Sequence, residues 1–85
     1  MEKEEIRLAL ASLIEEEMPE LGAVEMDKDI ISEYGINSVS IIRIIVAAEG
    51  KFGISFSDYE LALDGYKNFG DMAEVIKAKV DKKED

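Results

Sequence analysis

Residues 37–52 read NSVSIIRIIVAAEGKF, and the fold turns on whether this stretch is a strand or a helix. Its isoleucines and valines suit a buried strand. Length argues the other way: from Ser38 to Lys51 there are about 14 residues, too many for one strand in a small domain. The polar and small residues Ser40, Arg43, Ala47 and Gly50 also recur at spacings of three and four, which draws one thin outer stripe on a helix. No partner segments with alternating polarity exist elsewhere in the chain. The stretch is read as a helix, ended by Gly53.

Working back from it, Gly35 supplies a tight turn. Asn37 is then a strong N-cap, its side-chain oxygen accepting from a backbone N–H two or three residues on. Ile36 precedes the cap and can pack on Ile41 as a hydrophobic staple. Ser38 becomes the first helical residue. Its hydroxyl is then spare, at the positive end of the helix dipole, where an attached phosphate would be stabilised. The plainer alternative makes Ser38 itself the cap and its hydroxyl occupied, and capping considerations alone favour that alternative.

Glu2 to Met18 places Ile6, Leu10, Leu13 and Ile14 on one helical face, with Pro19 and Gly22 as the stop. Residues 19–37 form a long connection with two apolar anchors, Leu21/Val24 and Ile30/Ile31, and a short helical turn near Ile30. SDYE at 57–60 has capping-box spacing and opens a short helix to about Leu63, after which Asp64-Gly65 turns the chain. Asn68 caps a last helix through Val80, burying Met72, Val75, Ile76 and Val80. The expected fold is all-α, a small four-helix bundle of three longer helices and one short. Residues 1–80 make one domain, with a frayed tail at 81–85.

The chain has 85 residues, room for one modest core and no deep active site. It contains neither cysteine nor histidine, so thiolate chemistry, the commonest general base and the usual zinc ligands are missing. The acidic run Glu15-Glu16-Glu17 reads as a solvated helix end, and an enzyme is the least favoured class. A calcium loop aligned on Gly65 fails at Ala62, and one at 27–38 fails at Ile31. Net charge is −10, which repels nucleic acid and anionic membranes and favours basic protein partners. Residues 1–37 carry eleven acids and three bases, and residues 38–85 nine and seven. No membrane span or signal-peptide segment is evident, so a cytoplasmic location is expected. The Met1 start and charged tail point to a free-standing chain.

Gly35-Ile36-Asn37-Ser38-Val39, with an apolar helix behind it, resembles the phosphopantetheine attachment motif of acyl carrier proteins and peptidyl carrier domains. The likeness extends from about residue 5 to 80, through the acidic first helix, the pinned loop, FGISFSDYELA and the helix opened by NFGDM. The resemblance implies that a phosphopantetheinyl transferase moves 4′-phosphopantetheine from coenzyme A onto Ser38. The arm's thiol would then carry an acyl or aminoacyl group as a thioester. It also implies a monomer, served by loading and processing enzymes, with no catalytic group of its own.

Two departures stand out. The residue before the serine is most often aspartate in that family and is Asn37 here, which can slow priming. The face usually shown to enzymes would comprise Val39, Ser40, Arg43, Ala47 and Glu49, with one acid instead of many. Arg43 should oppose a basic partner, which favours a specialised carrier over a housekeeping fatty-acid one. Ile42, Ile45, Val46, Phe56, Leu61 and Met72 could line a cargo pocket, although each is singly a core candidate. The rival reading is an unmodified acidic interaction module.

Overall fold

The computed structural model describes residues 2–61 and 65–84. Three α-helices carry the fold: α1 over Lys3–Glu17, α2 over Ser38–Phe52 and α3 over Phe69–Glu84. Helix α1 packs against both α2 and α3. Its inner face buries Ile6, Leu10, Leu13 and Ile14, as the spacing predicts. Across the core lie Ile41, Ile44, Ile45 and Ala48 from α2, with Phe69, Met72, Ala73 and Ile76 from α3, all of them fully buried. Val75, expected inside, is only half-buried. Among the described residues there is no strand, and no helix is long and apolar enough to cross a membrane.

Three α-helices, and not the expected four, form among the described residues. The short fourth element is one 3-10 turn, Asp58–Leu61, in which the Glu60 N–H donates to the Ser57 carbonyl at 3.0 Å. Its capping box is only half formed. The Glu60 carboxylate accepts from both the N–H and the hydroxyl of Ser57, at 2.7 and 2.8 Å, so that hydroxyl donates to an acid instead of capping an amide. The expected continuation to Leu63 and the turn at Asp64 lie outside the described residues. At the other end, α3 continues through the segment expected to fray, with Lys77 and Asp81 paired at 2.8 Å one turn apart.

The connection between α1 and α2 is pinned, though not everywhere as expected. A second 3-10 turn, Pro19–Leu21, follows α1. Leu21 and Val24 pack on the core and Ile30 is fully buried, whereas Ile31 points to solvent at 53% exposure. Backbone bonds hold this loop against the start of α3: Ile30 N–H to the Lys67 carbonyl at 3.0 Å, and Gly70 N–H to the Met26 carbonyl at 2.8 Å. The helical turn expected near Ile30 forms, and the Asp29 carboxylate caps it by accepting from the N–H groups of Ile31 and Ser32, both at 2.9 Å. The bond from Ser32, then that from Ile31, hold the Asp29 carboxyl below its usual range.

Among the described residues, Glu60 is the one carboxyl with a large shift. Its bond from the Ser57 N–H, followed by that from Lys79, holds it down at about 2. The Lys79 ammonium pairs with it at 3.0 Å and also sits 5.3 Å over the Phe56 ring, so a single lysine ties the 3-10 turn to α3. A carboxyl held low stabilises the fold fully above its ordinary value of 4.5, and that contribution fades as pH falls through about 2. Glu60→Gln should therefore cost about 1–2 kcal/mol at neutral pH. It should also flatten the acid side of a pH-dependent denaturation curve below 4.5; an unchanged acid limb contradicts this role for Glu60.

Candidate functional site

The turn into α2 is built from three adjacent choices in the sequence. Gly35 has φ +64°, a left-handed conformation that strains any residue with a Cβ. Ile36 is buried at 2% exposure and Ile41 at 0%, both in the same core cluster. Asn37 holds extended backbone, and its Oδ1 accepts from the Ser40 N–H at 2.8 Å. The cap is thus Asn37, as the first of the two sequence readings has it.

With the cap made by its neighbour, Ser38 is exposed and its hydroxyl has no hydrogen-bond partner among the described residues. The backbone N–H groups of Ser38 and Val39 are likewise unclaimed by those residues. They belong to the unsatisfied donors that every helix start carries. No acidic residue stands in the first turn of α2. An alcohol here has open access, free N–H donors and a positive helix end around it, and a phosphodiester formed on it would meet no acid in the first turn of α2. The geometry fits a phosphate-linked group.

The remaining expected site residues are divided by the structure. Val39 is 70% exposed and Arg43 is exposed, but Ser40 and Ala47 are half-buried. Glu49 turns to accept from the Phe56 N–H at 2.8 Å, which occupies its carboxylate within the protein. The Arg43 guanidinium donates to the Glu17 carbonyl at 3.0 Å, closing off the end of α1. Of the six residues proposed for a cargo pocket, Ile45 and Met72 are fully buried, Phe56 is 9% exposed and Leu61 half-buried. Ile42 and Val46 stand on the outer face, 43% and 57% exposed. Ile42 and Val46 are thus set apart in exposure from the four that lie in or against the core. A cavity of about 290 Å³ does exist at the far end of α2, but it is lined by Gly53, Ile54, Ser55, Lys79, Lys82 and Lys83.

The sequence reading places Val39 on the enzyme-facing side but takes Ile42 and Val46 for pocket lining, whereas all three are exposed. The signal that finds them is the inner face, 41, 44, 45, 48 and 52; the positions half a turn away from these are 39, 43, 46 and 50, with 42 beside them.

The family model described as a phosphopantetheine attachment site matches residues 4–76. The acyl carrier protein of Renibacterium salmoninarum is 40% identical over 76 residues, covering 86% of this chain and 89% of that one. The acyl carrier protein of Myxococcus xanthus is 37% identical over 60 residues, 69% of this chain and 76% of its own. A meromycolate extension acyl carrier protein of Mycolicibacterium smegmatis is 35% identical over 75 residues, 87% of this chain and 74% of its own. No solved structure gives a significant match. The chain belongs to the phosphopantetheine-attachment family of acyl carrier proteins. Members are carriers and not catalysts, and the group they carry is a covalently attached 4′-phosphopantetheine.

Removing the cap tests the local account. Asn37→Ala should lower stability by about 1 kcal/mol, equivalent to a fall in Tm of roughly 4–8 °C for a domain of this size. Asn37→Asp should retain the native Tm in thermal unfolding followed by circular dichroism. Equal stability of the alanine variant would mean that Asn37 is not the cap.

Proposed function

We propose that Ser38 is the attachment residue, and that the chain presents acyl or aminoacyl groups to enzymes of a specialised pathway. The observation that carries this reading is the exposed Ser38 hydroxyl, spared from capping by Asn37. A phosphopantetheinyl transferase joins the arm of coenzyme A to the Ser38 oxygen. A cytoplasmic location, where coenzyme A is available, is consistent with that dependence. The arm supplies a terminal thiol on which cargo is held as a thioester. The chain's own part is to hold the serine at a rigid helix start, to direct free N–H groups of Ser38 and Val39 toward the phosphate, and to be recognised. A tethered cargo also reaches each docked enzyme at high local concentration. Residues 1–80 act as one carrier domain.

The specialised role is favoured by the charge of α2. Its first turn holds no acid, Glu49 is engaged by Phe56 and the exposed charge at the centre is Arg43. A partner that recognises a row of acids along this helix finds none, and charge at a docking face governs on-rate and partner choice. The relatives include plain acyl carrier proteins and one named for meromycolate extension, and the charge of this face is what supports the specialised reading.

Incubation with coenzyme A and a broad-specificity phosphopantetheinyl transferase should add one arm to the intact mass, and Ser38→Ala should add none. An unmodified native chain would favour the rival interaction module. In a second comparison, Arg43→Glu should be acylated several-fold faster than the native holo protein by a fatty-acid pathway enzyme; no gain argues for the housekeeping role.

A further inference from the structure

Acids outnumber bases 20 to 10 in this chain, yet three lysines meet around one hollow. The cavity of about 290 Å³ beyond the end of α2 is lined by Gly53, Ile54 and Ser55 and by Lys79, Lys82 and Lys83 of α3. No acidic residue lines it. The acids of the adjoining turns are occupied elsewhere: Glu60 holds Lys79 at 3.0 Å, Asp81 holds Lys77 at 2.8 Å, and Glu49 accepts from the Phe56 N–H. Lys82 and Lys83 have no partner among the described residues.

Lysines in the last turn of a helix ordinarily offset its dipole. Lys83 goes further than that. Its Nζ lies against Gly53, so close that a Cβ on residue 53 would stand 2.5 Å from it. The ammonium group therefore crosses from α3 to the end of α2. That end has little need of it, because the Glu49 carbonyl already accepts from the N–H groups of both Gly53 and Ile54. Ser55, next along, bonds neither its N–H nor its hydroxyl within the described residues. Two unpaired ammonium groups and an unpaired hydroxyl thus share one cavity with the half-buried Ile54.

We propose that this cavity binds the phosphate monoester group of a small molecule. With Lys79 neutralised by Glu60, Lys82 and Lys83 leave two positive charges, and a phosphate monoester carries about −1.5 to −2 at pH 7. Lysine meets phosphate as a point charge, whereas a carboxylate is matched best by the fork of arginine, and no arginine lines the cavity. A bare phosphate leaves space unfilled, and Ile54 with the lysine stems offers an apolar wall for a short organic body. The acidic end of α1 does not cancel this attraction. It is reached by Arg43, ten residues and about 15 Å along α2 from Gly53, beyond the Debye length of about 8 Å at physiological ionic strength. Ser38 lies farther still, about 22 Å away along the helix, so the proposal is independent of the attachment reading. A bound phosphate joins the ends of α2 and α3 and stabilises the fold by mass action.

The test is a titration of the full-length, nitrogen-15-labelled chain at pH 7 and constant ionic strength, followed by two-dimensional NMR. Glycerol 3-phosphate and inorganic phosphate are the probes, with sodium chloride as the control. Glycerol 3-phosphate should give saturable shifts centred on the amides of Gly53, Ile54 and Ser55, and should raise the Tm. Lys82→Gln/Lys83→Gln should weaken its binding roughly tenfold or more. Lys28→Gln/Lys67→Gln, which removes the same charge elsewhere, should leave binding within about twofold. All four lysines are exposed, and circular dichroism checks that both variants fold. Shifts that are linear in concentration or spread over the surface overturn the site, as does equal weakening by the two variants. Inorganic phosphate binding as tightly as the ester overturns the assignment to an ester. A poly-glutamate peptide that outcompetes both phosphates overturns it in favour of an acidic protein segment.

Discussion

The hydrogen bond from the Ser40 N–H to the Asn37 side chain, 2.8 Å long, is the constraint on which the site depends. A helix start has more N–H donors than acceptors, and some side chain nearby must supply an oxygen. Two candidates stand side by side in this sequence, and only one can be the cap. Because the amide of Asn37 takes that part, the alcohol of Ser38 is free of the backbone while still held on rigid helix. Gly35, with its left-handed φ of 64°, and the buried Ile36 fix the approach of the chain, so that the cap falls at 37 and not at 38. Which hydroxyl is left spare at this helix start is thus decided by its neighbours.

The rest of the structure serves to hold that helix start still and to make it recognisable. Helix α1 contacts both other helices, and the loop that follows it is bonded to the opening of α3 through Ile30 and Gly70. Tyr34 closes the same loop, accepting from the Glu25 N–H at 2.8 Å and lying 5.8 Å from the Phe69 ring. On the opposite side, the Glu60–Lys79 pair fastens the 3-10 turn to α3, and the buried Tyr66 donates to the Glu60 carbonyl at 2.7 Å. Burial, then the nearby Glu60 charge, raises the Tyr66 phenol to about 12, which keeps it a donor across the physiological range. Polar ties of this kind let a small core be specific without being large.

Much of this was legible in the residues alone. Length and spacing decided for helix over strand in 37–52, and the inner faces of α1 and α2 follow from apolar periodicity. The cap at Asn68 is local chemistry, visible within three residues, and accepts from the Asp71 N–H at 2.9 Å; at 37–38 the residues offer two caps, and the structure decides for Asn37. What was not legible depends on contacts distant in sequence. Helix α2 is apolar nearly all round, so its buried and exposed isoleucines are told apart only by where α1 and α3 lie. Ser40 and Ala47 looked outward because they are small and polar, yet they flank the core. Arg43 looked like a free cation, but its partner is a carbonyl 26 residues away. The capping-box pattern at 57–60 predicts a helix; the described residues form the 3-10 turn Asp58–Leu61 there, with Glu60 paired to Lys79 from α3.

The central claim, that the Ser38 hydroxyl is spared from capping and carries the arm, is tested most directly by locating the arm on the primed protein. Tryptic cleavage after Lys28 and Arg43 isolates a peptide containing Ser32, Ser38 and Ser40. Fragmentation of that peptide by tandem mass spectrometry should place the whole added mass on Ser38. Mass on Ser32 or Ser40, or on a peptide containing Ser12, Ser55 or Ser57, would contradict the account.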